Sequence, residues 1–183
     1  PSPRTVVMAP YKTEAEGGKG PVANTIYFGE LPPDRFVTRT NFVAFLCDGK
    51  QRGKFGIPPG RAKDVAGSID FQNKILTIAK YSLPGWSDYV NSFWKVPQDN
   101  PYGGDVMNSY NDGPVGPGKP PLGPFYEIES NSPGYELGTG GTVKHVHQTY
   151  HFHGELAALN AISRKVLGVD LDEVAQCFPA QAQ

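Results

Sequence analysis

The chain has 183 residues, a formal net charge of −1, and 22 glycines and 18 prolines. That length supports one domain with its own core. The near-zero charge gives no sign of a nucleic-acid partner, and no apolar run is long enough to span a bilayer. Glycine and proline, at about a fifth of the residues, favour a loop-rich β protein over a helical bundle.

Thr5-Val6-Val7-Met8-Ala9 begins the chain as a short strand, and residues 10–23 follow as a loop. Asn24–Phe28 is a second strand candidate, closed by Gly29 and Pro32-Pro33. Phe36–Thr38 is a third. Residues 41–47 form a fourth, ending at the turn pair Asp48-Gly49. After that turn Lys50, Arg52 and Lys54 share one strand face. Such a row either holds an anion such as a sugar carboxylate or forms a solvated edge that resists edge-to-edge pairing. Ala66–Phe71 and Lys74–Tyr81 predict a hairpin around Gln72-Asn73, and Tyr89–Trp94 predicts a further strand.

Residues 97–124 contain no clear periodicity and predict a long loop, the kind of segment that is functional or disordered. Tyr110, Asn111 and Asp112 stand out within it. Aromatic rings with planar amides and carboxylates suit the faces and hydroxyls of a sugar. The alternative is an ordered surface loop pinned by its own turns.

Phe125–Ser130 is a strand with Glu127 and Glu129 on one face. The chain has four histidines, and all of them fall between Lys144 and His153. The surrounding Val143, Val146, Thr149, Tyr150 and Phe152 favour a strand, on which His145, His147, His151 and His153 share a face. At about 3.3 Å per residue, His145 and His147 can converge on one ion, whereas His151, roughly 20 Å from His145, joins only through a bulge near Gln148-Thr149. Pairing of the two strands would bring the glutamates beside the histidines. Such a set serves as a divalent transition-metal site, as an acid and base beside a sugar ring, or as a polar sheet face with no chemistry.

The tail changes period. Leu156, Leu159, Ile162, Val166 and Leu167 recur at helical spacing, Gly168 suits the C-terminal cap, and Asp170-Leu171-Asp172-Glu173 opens a short second helix. This tail, residues 155–183, is expected to pack on the β domain, residues 1–154. Cys47 and Cys177 form no obvious framework and are expected as buried or free thiols rather than a disulfide. Because it begins with Pro1, the chain is expected to be a processed product, a fragment or an incomplete stretch.

In combination, Asp48–Gly56, Gln98–Tyr102, Asn108–Pro114, Phe125–Ser130 and the stretch with His145, His147 and His151 resemble an uncharacterised bacterial family. Its members are typically exported proteins of Bacteroidetes and Planctomycetes, and the chain is similar to their C-terminal half. In outline that family is similar to galactose-mutarotase-like β-supersandwiches, in which a glutamate and a histidine transfer protons to and from a sugar. The resemblance implies an antiparallel β-sandwich, half of a supersandwich, with a short helical C-terminal tail, in a periplasmic or extracellular protein. It also implies that a missing N-terminal half or other subunits are partners.

Three functions are carried forward. The first is carbohydrate binding or modification, with Glu127 or Glu129 as base, His145, His147 or His151 as acid, and Tyr110, Asn111, Asp112, Arg52 and Lys54 contacting substrate. The second is a cupin-like metal site of His145, His147 and His151 with a glutamate. Here His145-Val146-His147 resembles the cupin His-x-His start, but the glutamate expected after it is replaced by the Thr149–His151 region. The third is a structural or assembly subunit.

Overall fold

The computed structural model describes residues 1–93 and 95–179. Among the described residues, nine strands form two antiparallel sheets. They are β1 (Thr5–Pro10), β2 (Phe36–Thr38), β3 (Phe42–Leu46), β4 (Gly53–Ile57), β5 (Val65–Asp70), β6 (Ile75–Tyr81), β7 (Met107–Asn111), β8 (Tyr126–Ser130) and β9 (His147–His153). A six-stranded sheet runs β2-β3-β1-β5-β6-β9, and a three-stranded sheet runs β4-β7-β8. Two helices follow, α1 (Leu156–Val166) and α2 (Leu171–Ala175).

The large sheet is the middle layer. Val6, Met8, Phe42, Ala44 and Leu46 point to one side and pack with Leu159, Leu167, Leu171 and Val174 of the helical tail. Val7, Ala9, Val43 and Phe45 point to the other and pack with Phe55, Ile57 and Met107 of the small sheet. Burial on both faces explains why β1 and β3 are continuous apolar runs rather than alternating ones. α1 ends at Val166 with Leu167 as its C-cap, and Gly168 takes the left-handed conformation (φ 68°) expected after a helix C-terminus. Asp170 caps α2 by accepting from the Asp172 amide.

The β5–β6 hairpin turns where expected, with the Asp70 carboxylate accepting from the amides of Gln72 and Asn73. Both cysteines are free thiols and buried.

Asp48-Gly49 is a turn, but it makes no hairpin. β3 belongs to the large sheet and β4 to the small one, so the chain crosses between layers there. Arg35 fixes the crossing. Its guanidinium holds both Asp48 oxygens (2.8 and 2.6 Å) and the Leu46 carbonyl (3.0 Å), with both side chains buried.

Three expected elements differ. Asn24–Phe28 makes only isolated bridges, Asn24 to Gly56 and Tyr27 to Gly29. It pairs with β4 at one point and then turns across the small sheet. Tyr89 bridges only to Gly103, so residues 89–93 form no strand; Trp94 lies outside the described residues. The stretch 97–124, expected as loop, contains β7, the central strand of the small sheet. Its sequence, Met-Asn-Ser-Tyr-Asn, is polar although every residue is buried, so it carries no apolar alternation to betray it. The tail expectation also reaches residues 180–183, which lie outside the described residues.

Candidate functional site

The small sheet has an apolar inner face and a polar outer face. Phe55, Ile57, Met107, Tyr126 and Ile128 point inward. The alternate positions Arg52, Lys54, Asn108, Tyr110, Asp112, Glu127 and Glu129 therefore fall outward. In register, Lys54 lies opposite Tyr110 and Tyr110 opposite Glu127, while Asn108 lies opposite Glu129. Directly opposed side chains start about 5 Å apart, so these groups form one cluster.

Two arms run through it. Along one, Lys54 Nζ pairs with Glu129 Oε2 at 3.0 Å and lies over the Tyr27 ring. Lys54 is only 8% exposed, so the solvated-edge reading of its row fails at this position. It is buried because Tyr27 lies across the sheet. Along the other arm, Arg52 Nε donates to the Tyr110 hydroxyl (3.0 Å), Tyr110 donates to Asp112 (2.8 Å), and Asp112 accepts from the Gly123 amide (2.7 Å). Arg52 also stacks over the Phe28 ring at 4.2 Å. Beside it, Phe28, Lys50, Gln51, Arg52 and Val115 line a groove of about 540 Å³.

The acids here are unequal. Burial and the adjoining Glu129 carboxyl raise Glu127 to about 7, against the pull of Lys54. Two neighbouring carboxylates resist full ionisation, so Glu127 keeps its proton to near neutrality. Asp112 goes the other way. Burial alone would raise it, but hydrogen bonds from Gly123 and Tyr110 hold it below the ordinary carboxylate range.

Deeper in the same face, burial raises Asp105 to about 6 despite hydrogen bonds donated by Tyr27 and Asn24. Asp105 lies over β4 because Gly56 has no side chain. A Cβ there would stand 2.1 Å from the Asp105 carboxylate and 2.7 Å from Asn108 Oδ1. Asn108 is fully buried, and among the described residues neither atom of its amide has a hydrogen-bond partner. Unpaired buried amides are costly, so the floor of this face holds unspent polar capacity.

The histidines lie elsewhere. β8 pairs with β7, whereas β9 pairs with β6 in the other sheet, so Glu127 and Glu129 are not brought to the histidines. Ser130, on the inner side of β8, is the contact between the two regions. Its hydroxyl meets His145 Nε2 at 2.9 Å and His147 Nδ1 at 2.8 Å. His145 and His147 thus converge as expected, but on a hydroxyl. Burial and the neighbouring His147 lower the His145 pKa. β9 runs in unbroken register from His147 to His153, so no bulge returns His151, which bonds to Thr77 Oγ1 at 3.0 Å. His153, opposite Ile75, is exposed. Among the described residues, no group of three His, Cys, Asp or Glu side chains is placed to hold a metal ion.

Asn111 also leaves the expected set. It lies on the inner side, fully buried, and its amide is occupied by the Gly49 N–H and the Gln51 carbonyl, bracing the crossing between sheets. Tyr27, Asp105 and Asn108 join the site without having been expected. Asn108 shares parity with Tyr110 and would have emerged had β7 been recognised as a strand.

Among the described residues, no helix is long and apolar enough to cross a membrane. No curated protein and no solved structure matches the chain. The sequence profile of a family of unknown function, DUF6786, matches residues 1–178, and the chain belongs to that family.

Proposed function

We propose that the protein binds a carbohydrate at the polar outer face of the small sheet and moves a proton on it through Glu127. The observation that carries this reading is the Glu127–Glu129 pair, with Glu127 raised to about 7, next to the Arg52–Tyr110–Asp112 network and the groove beside Phe28. A carboxyl near neutrality is populated in both protonation states, as acid–base catalysis at that pH requires. Glu129, paired with Lys54, supplies a fixed acceptor for a hydroxyl. Arg52 supplies guanidinium donors, and Phe28, stacked on Arg52, gives an apolar wall for a ring.

The mutarotase-like form of this reading follows from that chemistry. Opening a pyranose removes a proton from the anomeric hydroxyl and delivers one to the ring oxygen, and a carboxyl in this range can do either. The acid role first assigned to the histidines passes to this face, because the histidines belong to the other sheet. The resemblance to exported proteins supports a site of action outside the cytoplasm.

The test is calorimetry against a panel of neutral and acidic monosaccharides, followed by anomer equilibration monitored by polarimetry. The expected result is saturable binding to at least one sugar, and equilibration that slows by about a hundredfold or more in Glu127→Gln. Binding should be retained in that variant and lost in Arg52→Ala. A folded wild-type protein that gives no heat with any sugar, and no acceleration, ends this reading.

A second reading, as an assembly subunit, has its own support. Among the described residues, β8 and β9 are each hydrogen-bonded on one side only, and β9 is exposed along nearly its whole length. Open edges accept further strands. This suits the resemblance to one half of a longer protein.

A further inference from the structure

Three loops meet beyond the end of the small sheet where β7 begins and β8 finishes. They are tied by main-chain hydrogen bonds: Tyr89 to Tyr102 (3.2 Å), Gly104 to Tyr89 (2.8 Å) and Gly134 to Asp88 (2.8 Å). Tyr89 is fully buried and anchors the first loop in the core between the sheets. The Tyr102 ring lies against Gly134, where a Cβ would stand 3.3 Å from it.

This framework leaves a groove of about 610 Å³ lined by Trp86, Asp88, Val90, Tyr102, Tyr135 and Glu136. Trp86 is 48% exposed and Tyr102 is 59% exposed, an unusual presentation for rings so firmly backed. The Trp86 and Tyr135 rings stand 5.4 Å apart at 48°, forming a corner. Among the described residues, no Lys, Arg or His lines the groove. Among the described residues, neither Asp88 nor Glu136 takes part in a salt bridge.

We propose that this groove binds a small organic ammonium ion. Its alkyl groups pack in the corner of Trp86, Tyr102 and Tyr135, and its charge faces Asp88 and Glu136. Aromatic faces carry negative potential and attract cations, most strongly when carboxylates stand nearby. A neutral sugar would also stack on these rings, but it would leave both carboxylates without a counter-charge, and an anion would be repelled. The groove shares no residue with the Arg52–Glu127 cluster, which occupies the opposite end of the small sheet.

The probe is choline, titrated calorimetrically into the wild-type protein, with its uncharged tert-butyl isostere and a methyl galactoside as comparisons. Choline should bind and quench tryptophan fluorescence, and the isostere should not bind. Trp86→Ala should abolish choline binding with an unchanged melting temperature, since the ring is half exposed. Asp88→Asn with Glu136→Gln should weaken it about tenfold. Equal binding of the isostere, preference for the galactoside, or no choline heat at tens of millimolar would each overturn the assignment.

Discussion

Asp105 and Glu127 are acids that the fold keeps protonated well above their usual range, at about 6 and about 7. The unfolded chain releases these protons near about 3.9 and about 4.3. Between those values and the raised ones the native state binds more protons than the unfolded state, so stability falls as pH rises. These two acids should therefore contribute a decline in melting temperature from about pH 4 to about pH 7, opposed in part by His145, whose lowered pKa makes the native state the weaker proton binder there. In Asp105→Asn the decline should shrink, because the amide oxygen still accepts from Tyr27 and no charge forms. An unchanged slope in that variant would mean that Asp105 titrates normally. Arg52, Lys54, Glu127 and Glu129 were legible in the sequence because charge at alternate strand positions marks a face, and Tyr110 and Asp112 because aromatics and carboxylates cluster in the long irregular stretch. Tyr27, Asp105 and Asn108 were not. Their role depends on the segment 24–28 folding over the sheet, which no local pattern encodes.

Elements were legible in proportion to their apolar patterning. β1, β3, the β5–β6 hairpin and α1 announced themselves through runs or periodicity. β7 did not, because its outward positions are buried polar groups and Ser109 on its inner side donates to the Glu127 carbonyl (2.7 Å). The pairing of β8 with β7 rather than β9 was equally hidden, since strand order is a long-range choice. The role of α1 permits a direct prediction. Leu159, 2% exposed, seats that helix on Leu76 and Ile78 in the core beneath it. Leu159→Ala should cost about 2–5 kcal/mol, read as a lower urea midpoint. A loss under about 1 kcal/mol would indicate that the tail is only loosely attached.

At the scale of the whole molecule, six strands stand against three, with a helical tail on the far side. The mismatch leaves β9 beyond the cover of the small sheet, and with it the histidine face that looked like the centre of the chemistry. The two layers of core also separate the two cysteines. Cys47, fully buried between the sheets, has its thiol pushed up in pKa by burial. Cys177 lies in the helical tail, where Arg39 Nε reaches its sulfur at 3.4 Å. A thiol reagent therefore sees neither until something opens, and each sulfur keeps time for a different event. In sub-denaturing urea, alkylation followed by peptide mass mapping should modify Cys177 before Cys47, because releasing the tail exposes only the first. Simultaneous modification would mean that the tail and the sandwich open as one unit. The native protein thus carries two built-in clocks, and their difference measures how independently its layers come apart.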